Sequence, residues 1–170
     1  MPGVASSVAY DGLMARQALR ALWRQFDNRR SNPYTQAFFE GQSRGSNRSA
    51  DAVVPCLHEM IKPTSVLDVG CGVGHWLGVF MSRGITDVVG VDGDYINRSL
   101  LNIPREKFIG ANLAEPVDLG RRFDLAMSLE VAEHLPPEAA DTIVDTLAGR
   151  SDVVFFSAAV PRQRGKWPPQ

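Results

Sequence analysis

A short apolar run that passes straight into a glycine-rich turn constrains this chain more than anything else in it. Ser65-Val66-Leu67-Asp68-Val69 reads as a buried strand, and Gly70-Cys71-Gly72-Val73-Gly74 follows at once. Aliphatic and β-branched residues suit a pleated, covered surface. Glycines at every second position let the backbone turn sharply and approach another group closely. Residues 75–83 then read as a helix stopped by Gly84. Residues 87–91 read as a second strand ending at Asp92, and residues 95–101 as a short helix. Further strands are expected at 107–110, 123–129 and 152–157. Pro136-Pro137 opens a helix in which Ala140, Ile143, Val144 and Leu147 keep helical spacing and Gly149 ends it. Strands alternating with helices imply right-handed crossovers, so the expectation is an α/β fold: a mostly parallel sheet with helices on both faces.

The chain before this unit reads differently. An amphipathic helix is expected over 10–27, with Leu19, Leu22, Trp23 and Phe26 on one face and Arg16, Arg20 and Arg24 opposite. That arginine stripe reads first as a solvated face and second as a surface for an anion or a partner. Residues 28–47 read as a polar loop with one short helical turn at Ala37-Phe38-Phe39. Ser49 is placed to cap a second helix over 50–61, with Pro55 near its first turns and Pro63 closing it. The expected organisation is a helical segment or lid over 1–62, a core over 63–160 and a polar tail over 161–170.

Composition narrows the class. With 170 residues, 44% hydrophobic and 22% charged, the chain has the balance of one globular domain. Its net charge of -1 gives no bulk attraction to a polyanion. The charge is uneven, however. Residues 1–50 carry seven arginines against Asp11, Asp27 and Glu40, a net of +4, which leaves -5 for the rest. No apolar run approaches the roughly 18 residues of a membrane span, and the first residues have no basic-then-apolar leader pattern. Cys56 and Cys71 are the two cysteines. Cys71 lies inside the glycine turn, so a structural disulfide is not expected, and a reducing cytoplasm is the default setting.

In an open parallel sheet, ligands bind at the carboxyl ends of the strands, where the strand order reverses. The glycine turn and Asp92 stand at two such ends. The glycines are spaced G-x-G-x-G, and His75 takes the place of the last glycine of a dinucleotide-binding G-x-G-x-x-G. No lysine follows the turn, which excludes a Walker-type phosphate loop. Asp92 lies 18 residues beyond Gly74. A carboxylate there has two oxygens with which to accept from a ribose diol. A single strand-end aspartate is more often a turn or helix cap, but Asp68 and Asp92 at neighbouring ends weaken that reading.

Val66 to Gly74 resembles the first motif of the class I S-adenosylmethionine-dependent methyltransferases, and Val89-Gly90-Val91-Asp92 resembles their second. Phe123 to Leu135, with Glu130-Val131-Ala132-Glu133-His134-Leu135, is similar to the fourth-strand motif of a branch with an E-V-x-E-H-L sequence. The resemblance spans about residues 63–157 and implies a Rossmann-like fold with S-adenosyl-L-methionine as cofactor. It implies that Asp68 orients the turn and helps hold the cofactor's amino group. Gly70, Cys71, Gly72 and Gly74 would let backbone approach the methionine part. Asp92 would take the ribose hydroxyls, with Gly93 under the adenine. Asn112 would bond the adenine amino group where the family more often has an acid, with Leu113 packed on the ring. Ser128, Leu129 and Glu130 would line the pocket near the transferable methyl.

The run from Glu130 to His134 admits three readings: capping and tying of its own loop, ligation of a divalent ion as in some similar sequences, or acid–base work by Glu133 and His134. No metal is assigned. Trp76 reads as core packing and His58 as structural or surface. The family core has seven strands, and five are counted here, with the last two of the seven missing. The fifth, with Val153, Val154, Phe155 and Phe156, would be an apolar edge open to pairing with a second copy. Tyr34, Phe38, Phe39, Arg44 and Ser46 are candidate pieces of an acceptor site. The resulting expectation is methyl transfer to an oxygen or nitrogen of a small molecule, a sugar or secondary metabolite. The alternatives are a cofactor-binding module without catalysis of its own, and a nucleic-acid methyltransferase, for which the arginine stripe is thin support.

Overall fold

A strand covered on both faces must be apolar on both, and the strands of this chain are. Val66, Leu67 and Val69 of β1 (Ser65–Val69), Val88 and Val91 of β2 (Asp87–Asp92), and Leu125, Ala126 and Met127 of β4 (Leu125–Leu129) are each at most 1% exposed. The structure, a computed structural model, describes Gln17 and residues 36–158. Two short strands, β3 (Phe108–Gly110) and β5 (Val154–Ser157), complete a five-stranded sheet in the order β3-β2-β1-β4-β5. All four pairings are parallel, with Asp68 level with Gly90 on one side and Met127 on the other. The order runs outward from β1 in both directions, so the reversal falls between β1 and β4.

Helices cover both faces. Strand residues alternate, and Val66, Val88, Leu125, Met127 and Phe155 meet Ala50, Val54 and Leu57 of α1 (Gln36–Ile61) and Leu77 and Phe80 of α2 (His75–Ser82). On the other face Leu67, Val69, Val91, Ala126 and Val154 meet Ile143, Val144 and Leu147 of α3 (Ala140–Arg150). Trp76 packs into the first layer, its ring centroid 6.1 Å from that of Phe155. β5 lies at an edge of the sheet, and both cysteines are free.

Three expectations are corrected. Helix α1 begins at Gln36, so residues 36–47 are helical where a polar loop was expected, and Pro55 is interior to the helix. Burial of Ala50, Val54 and Leu57 against α2 and the sheet supplies the support that the polar composition of 36–47 lacks. Residues 95–101 form turns and no helix. The Asn97 side chain accepts from the Ser99 N–H at 3.0 Å and from its hydroxyl at 2.8 Å, a local alternative to helical bonding. Pro137 starts a three-residue 3₁₀ turn (Pro137–Ala139), and α3 runs through Gly149 to Arg150, where Gly149 was expected to stop it. The expected helix over 10–27, its arginine stripe, Tyr34 and the tail over 161–170 lie outside the described residues. Phe38, Phe39, Arg44 and Ser46 fall on α1. Among the described residues, no helix is long and apolar enough to cross a membrane.

Candidate functional site

The turn after β1 is held by the neighbouring strand. The N–H groups of Gly70 and Cys71 both donate to the Val91 carbonyl, at 2.7 and 3.2 Å. Gly70, Gly72 and Gly74 all have positive φ (+87°, +54° and +77°), a region that side chains rarely tolerate. The three differ in what lies beside them. A side chain at Gly70 would run into Val131, and one at Gly74 would meet Ile103 at 2.9 Å. At Gly72 nothing among the described residues lies within 4 Å. Gly70 and Gly74 are therefore small because protein packs on them, whereas Gly72 presents bare backbone to open space.

Asp92 closes the other side of that space. It is 5% exposed, and its Oδ2 accepts from the Gly72 N–H at 2.7 Å, joining the two strand ends. Its Oδ1 accepts from the Gly93 N–H and from the Tyr95 hydroxyl, both at 2.7 Å. Burial raises the Asp92 pKa, and these three donors oppose the rise. Asp68, 3% exposed, is pushed up to about 8, first by burial and then by the charge of Asp92. Of the two, Asp68 holds its proton more strongly, because the donors on Asp92 favour the charged form there. Burial, then both aspartates, push the Cys71 thiol well above its ordinary value, so it is a packing group and not a nucleophile.

The remaining expected residues flank this centre. Asn112 follows β3, donating from its amide nitrogen to Glu115 at 2.9 Å and accepting from the Ala114 N–H at 3.1 Å. The segment is anchored by the Ala111 N–H, which donates to the Asp92 carbonyl at 2.8 Å. Leu113 is buried against Val69 and Val91. At the end of β4, Ser128 is fully buried, its hydroxyl has no hydrogen-bond partner among the described residues, and Leu129 is half-buried. Glu130 has φ +56°, unusual for a residue with a side chain. Two bonds to β5 hold it there: its N–H donates to the Ser157 carbonyl, and its Oε1 accepts from the Ser157 hydroxyl, each at 2.9 Å. Val131 then packs on Gly70, and Glu133 and His134 lie half-buried on a 3₁₀ turn (Ala132–His134). Burial lowers the His134 pKa, with Glu130 opposing, which favours the neutral imidazole that can take a proton. Among the described residues, no three His, Cys, Asp or Glu side chains gather as a metal-binding group.

Asp68, Cys71, Gly72, Asp92 and Gly93 thus meet at one place, and Glu130, Glu133 and His134 stand at the next strand end. Tyr95, Val131, Ile103 and Ser157 take part in this architecture without having been singled out in the sequence. Tyr95 carried a signal, an aromatic hydroxyl three residues after a strand-end acid; the others are packing partners set by the fold.

Comparison with known proteins places this arrangement. The methyltransferase-domain family matches residues 10–166. Similar solved structures include CalS10, an amino pentose methyltransferase from Micromonospora echinaspora (22% identity, TM-score 0.56, 80% of this chain and 61% of that one). Others are the methyltransferase domain of bacterial CtHen1-C (20% identity, TM-score 0.53, 64% and 63%) and the plantazolicin methyltransferase BpumL (19% identity, TM-score 0.51, 85% and 55%). The chain spans less than two thirds of the length of each. No curated protein matches it. With four parallel pairings, a glycine turn facing open space and a strand-end acid bonded to it, this chain belongs to the methyltransferase-domain family.

Proposed function

We propose that the chain is an S-adenosylmethionine-dependent methyltransferase acting on an oxygen or nitrogen of a small molecule, a sugar or secondary metabolite. The observation that carries this reading is the Gly72–Asp92 junction: bare backbone facing open space, hydrogen-bonded at 2.7 Å to a buried carboxylate on the next strand. That junction suits a ligand with a diol and a chain that lies along backbone. In this reading Asp92 takes the ribose hydroxyls, Gly93 lies under the base, and Asn112 and Leu113 flank it. Gly72 and Cys71 border the methionine part, with Gly70 and Gly74 shaping the turn. Asp68 faces the amino group, and Ser128, Leu129 and Glu130 border the reacting end. Bound there, the cofactor supplies an activated methyl on a sulfonium.

The chain's own work is to hold an acceptor atom in line with that methyl, about 3 Å away. His134 is the group to take a proton from an acceptor that arrives protonated, because burial favours its neutral form; Glu133 beside it is the second candidate. A small acceptor fits the charge better than a polyanion does, since residues 51–170 carry a net of -5. Titration calorimetry with S-adenosylhomocysteine tests the reading. Binding is expected, and Asp92→Asn is expected to weaken it at least about tenfold, the worth of one good charge-assisted hydrogen bond. Unchanged affinity in Asp92→Asn would remove the ribose role and the reading with it.

A further inference from the structure

The segment that follows β2 folds back over the strand ends. Gly93 and Gly110 lack side chains, and each is covered: the Tyr95 ring lies on Gly93, and the Asp94 carboxylate lies on Gly110. Arg98 secures the segment, pairing with Asp94 at 2.9 Å and resting 5.4 Å from the centre of the Phe108 ring. This brings the Tyr95 hydroxyl onto Asp92 Oδ1 at 2.7 Å.

Counting lone pairs shows what that contact does. A carboxylate offers about four acceptor sites, two on each oxygen. On Oδ1 both are used, by the Gly93 N–H and by Tyr95; on Oδ2 the Gly72 N–H uses one. A ribose diol gripped by both oxygens needs one site on each. The site on Oδ2 is available, and the one on Oδ1 is held by the phenol. Tyr95 is 59% exposed, so its side chain is reached by solvent.

We propose that Tyr95 is a gate on the nucleoside subsite: its phenol satisfies Asp92 in the ligand-free protein and exchanges with a ribose hydroxyl when the cofactor binds. The gate rests on the reading that Asp92 receives a ribose. Its consequences are thermodynamic and kinetic. A closed gate multiplies the intrinsic affinity by the fraction of molecules that are open, so the apparent dissociation constant rises. It also places an opening step before binding, so the observed association rate should level off as ligand rises.

The test compares the wild-type chain with Tyr95→Phe, which keeps the ring and removes the hydroxyl. Calorimetry with S-adenosylhomocysteine is expected to show binding about tenfold tighter in Tyr95→Phe. Stopped-flow tryptophan fluorescence should show a rate that saturates in the wild type and rises linearly in the variant. Adenosine and 2′,3′-dideoxyadenosine, each competed against S-adenosylhomocysteine, separate a gate from general loosening: the gain should appear for adenosine and be absent for the dideoxy compound. Equal or weaker binding of S-adenosylhomocysteine by Tyr95→Phe, or an equal gain for both nucleosides, overturns the gate while leaving the cofactor site standing. No binding by the wild type or the variant overturns the cofactor site itself, and the gate with it.

Discussion

Asp68 and Asp92 are the same side chain at adjacent strand ends, and both are almost fully buried, yet the fold treats them differently. Asp92 has three donors to offset desolvation, whereas Asp68 feels burial and the charge of its neighbour and rises to about 8. Its unfolded value is near 3.8. Between those two values the folded state binds the extra proton, so stability falls as pH rises. The contribution of Asp68 is full below 3.8 and is lost as pH climbs through about 8. Urea denaturation from pH 5 to pH 8 should therefore show Asp68 contributing a decline of up to about 1.4 kcal/mol per pH unit, which the depressed His134 opposes below its ordinary value of 6.5. Asp68→Asn should remove that contribution. An unaltered slope in Asp68→Asn would mean that Asp68 is charged in the folded protein. The identities of these two acids and their strand-end positions were legible in the sequence. Their protonation was not, because it depends on which backbone N–H groups the folded chain turns toward each carboxylate.

At the scale of elements, the glycine turn separates shape from contact. Alanine at Gly70 must adopt φ +87° and push aside Val131, combining backbone strain with overpacking. Alanine at Gly72 meets the left-handed backbone penalty, about 1–2 kcal/mol, and no contact within 4 Å among the described residues. Gly70→Ala should thus lose several kcal/mol of stability, on the order of the sum of those two effects. Gly72→Ala should stay folded with a slightly lowered urea midpoint, and should lose S-adenosylhomocysteine affinity about tenfold or more as its methyl enters the ligand's space. Equal effects of the two substitutions on binding at matched stability would contradict the division. From sequence, the three glycines read alike; only the packing of Val131 and Ile103 tells them apart. The strands were legible because each is a short apolar run with a turn residue after it, and a parallel sheet with helices on both faces followed from their alternation with helices. Residues 95–101 misled because the Asn97 side chain bonds locally to Ser99 in place of a helical turn. Residues 36–47 misled in the opposite sense, since their polar composition hides a helix whose stability comes from residues further along α1.

Across the whole molecule, the two ends of the sheet carry different burdens. The carboxyl end holds buried acids, bare backbone at Gly72 and a Glu130 backbone kept at φ +56° by two bonds to Ser157, all of which cost stability. The amino end holds ties. Asp124 Oδ2 accepts from the Thr64 N–H at 2.7 Å, the Thr64 hydroxyl at 2.6 Å and the Ser65 N–H at 3.1 Å. Arg121 forks onto Asp87, and Arg122 links Asp152 to the Gly149 carbonyl. These bonds lower the pKa values of Asp124, led by the Thr64 side chain, and of Asp87, led by Arg121. Groups depressed in this way stabilise above their unfolded value of about 3.8 and lose that contribution as pH falls through the folded one. The amino end is thus lost in acid and the carboxyl end weakens toward alkali, so stability should peak in mildly acidic solution. Asp124→Ala should lower stability at pH 7 by about 1 kcal/mol, its bonds being exposed to water. That difference should shrink as pH falls through the depressed folded value and vanish once Asp124 is protonated in both states. Because Asp124 sits at the opposite end of β4 from Glu130, S-adenosylhomocysteine affinity should be the same in Asp124→Ala as in the wild type. A parallel loss of affinity would show that the two ends of the sheet are coupled through β1 and β4.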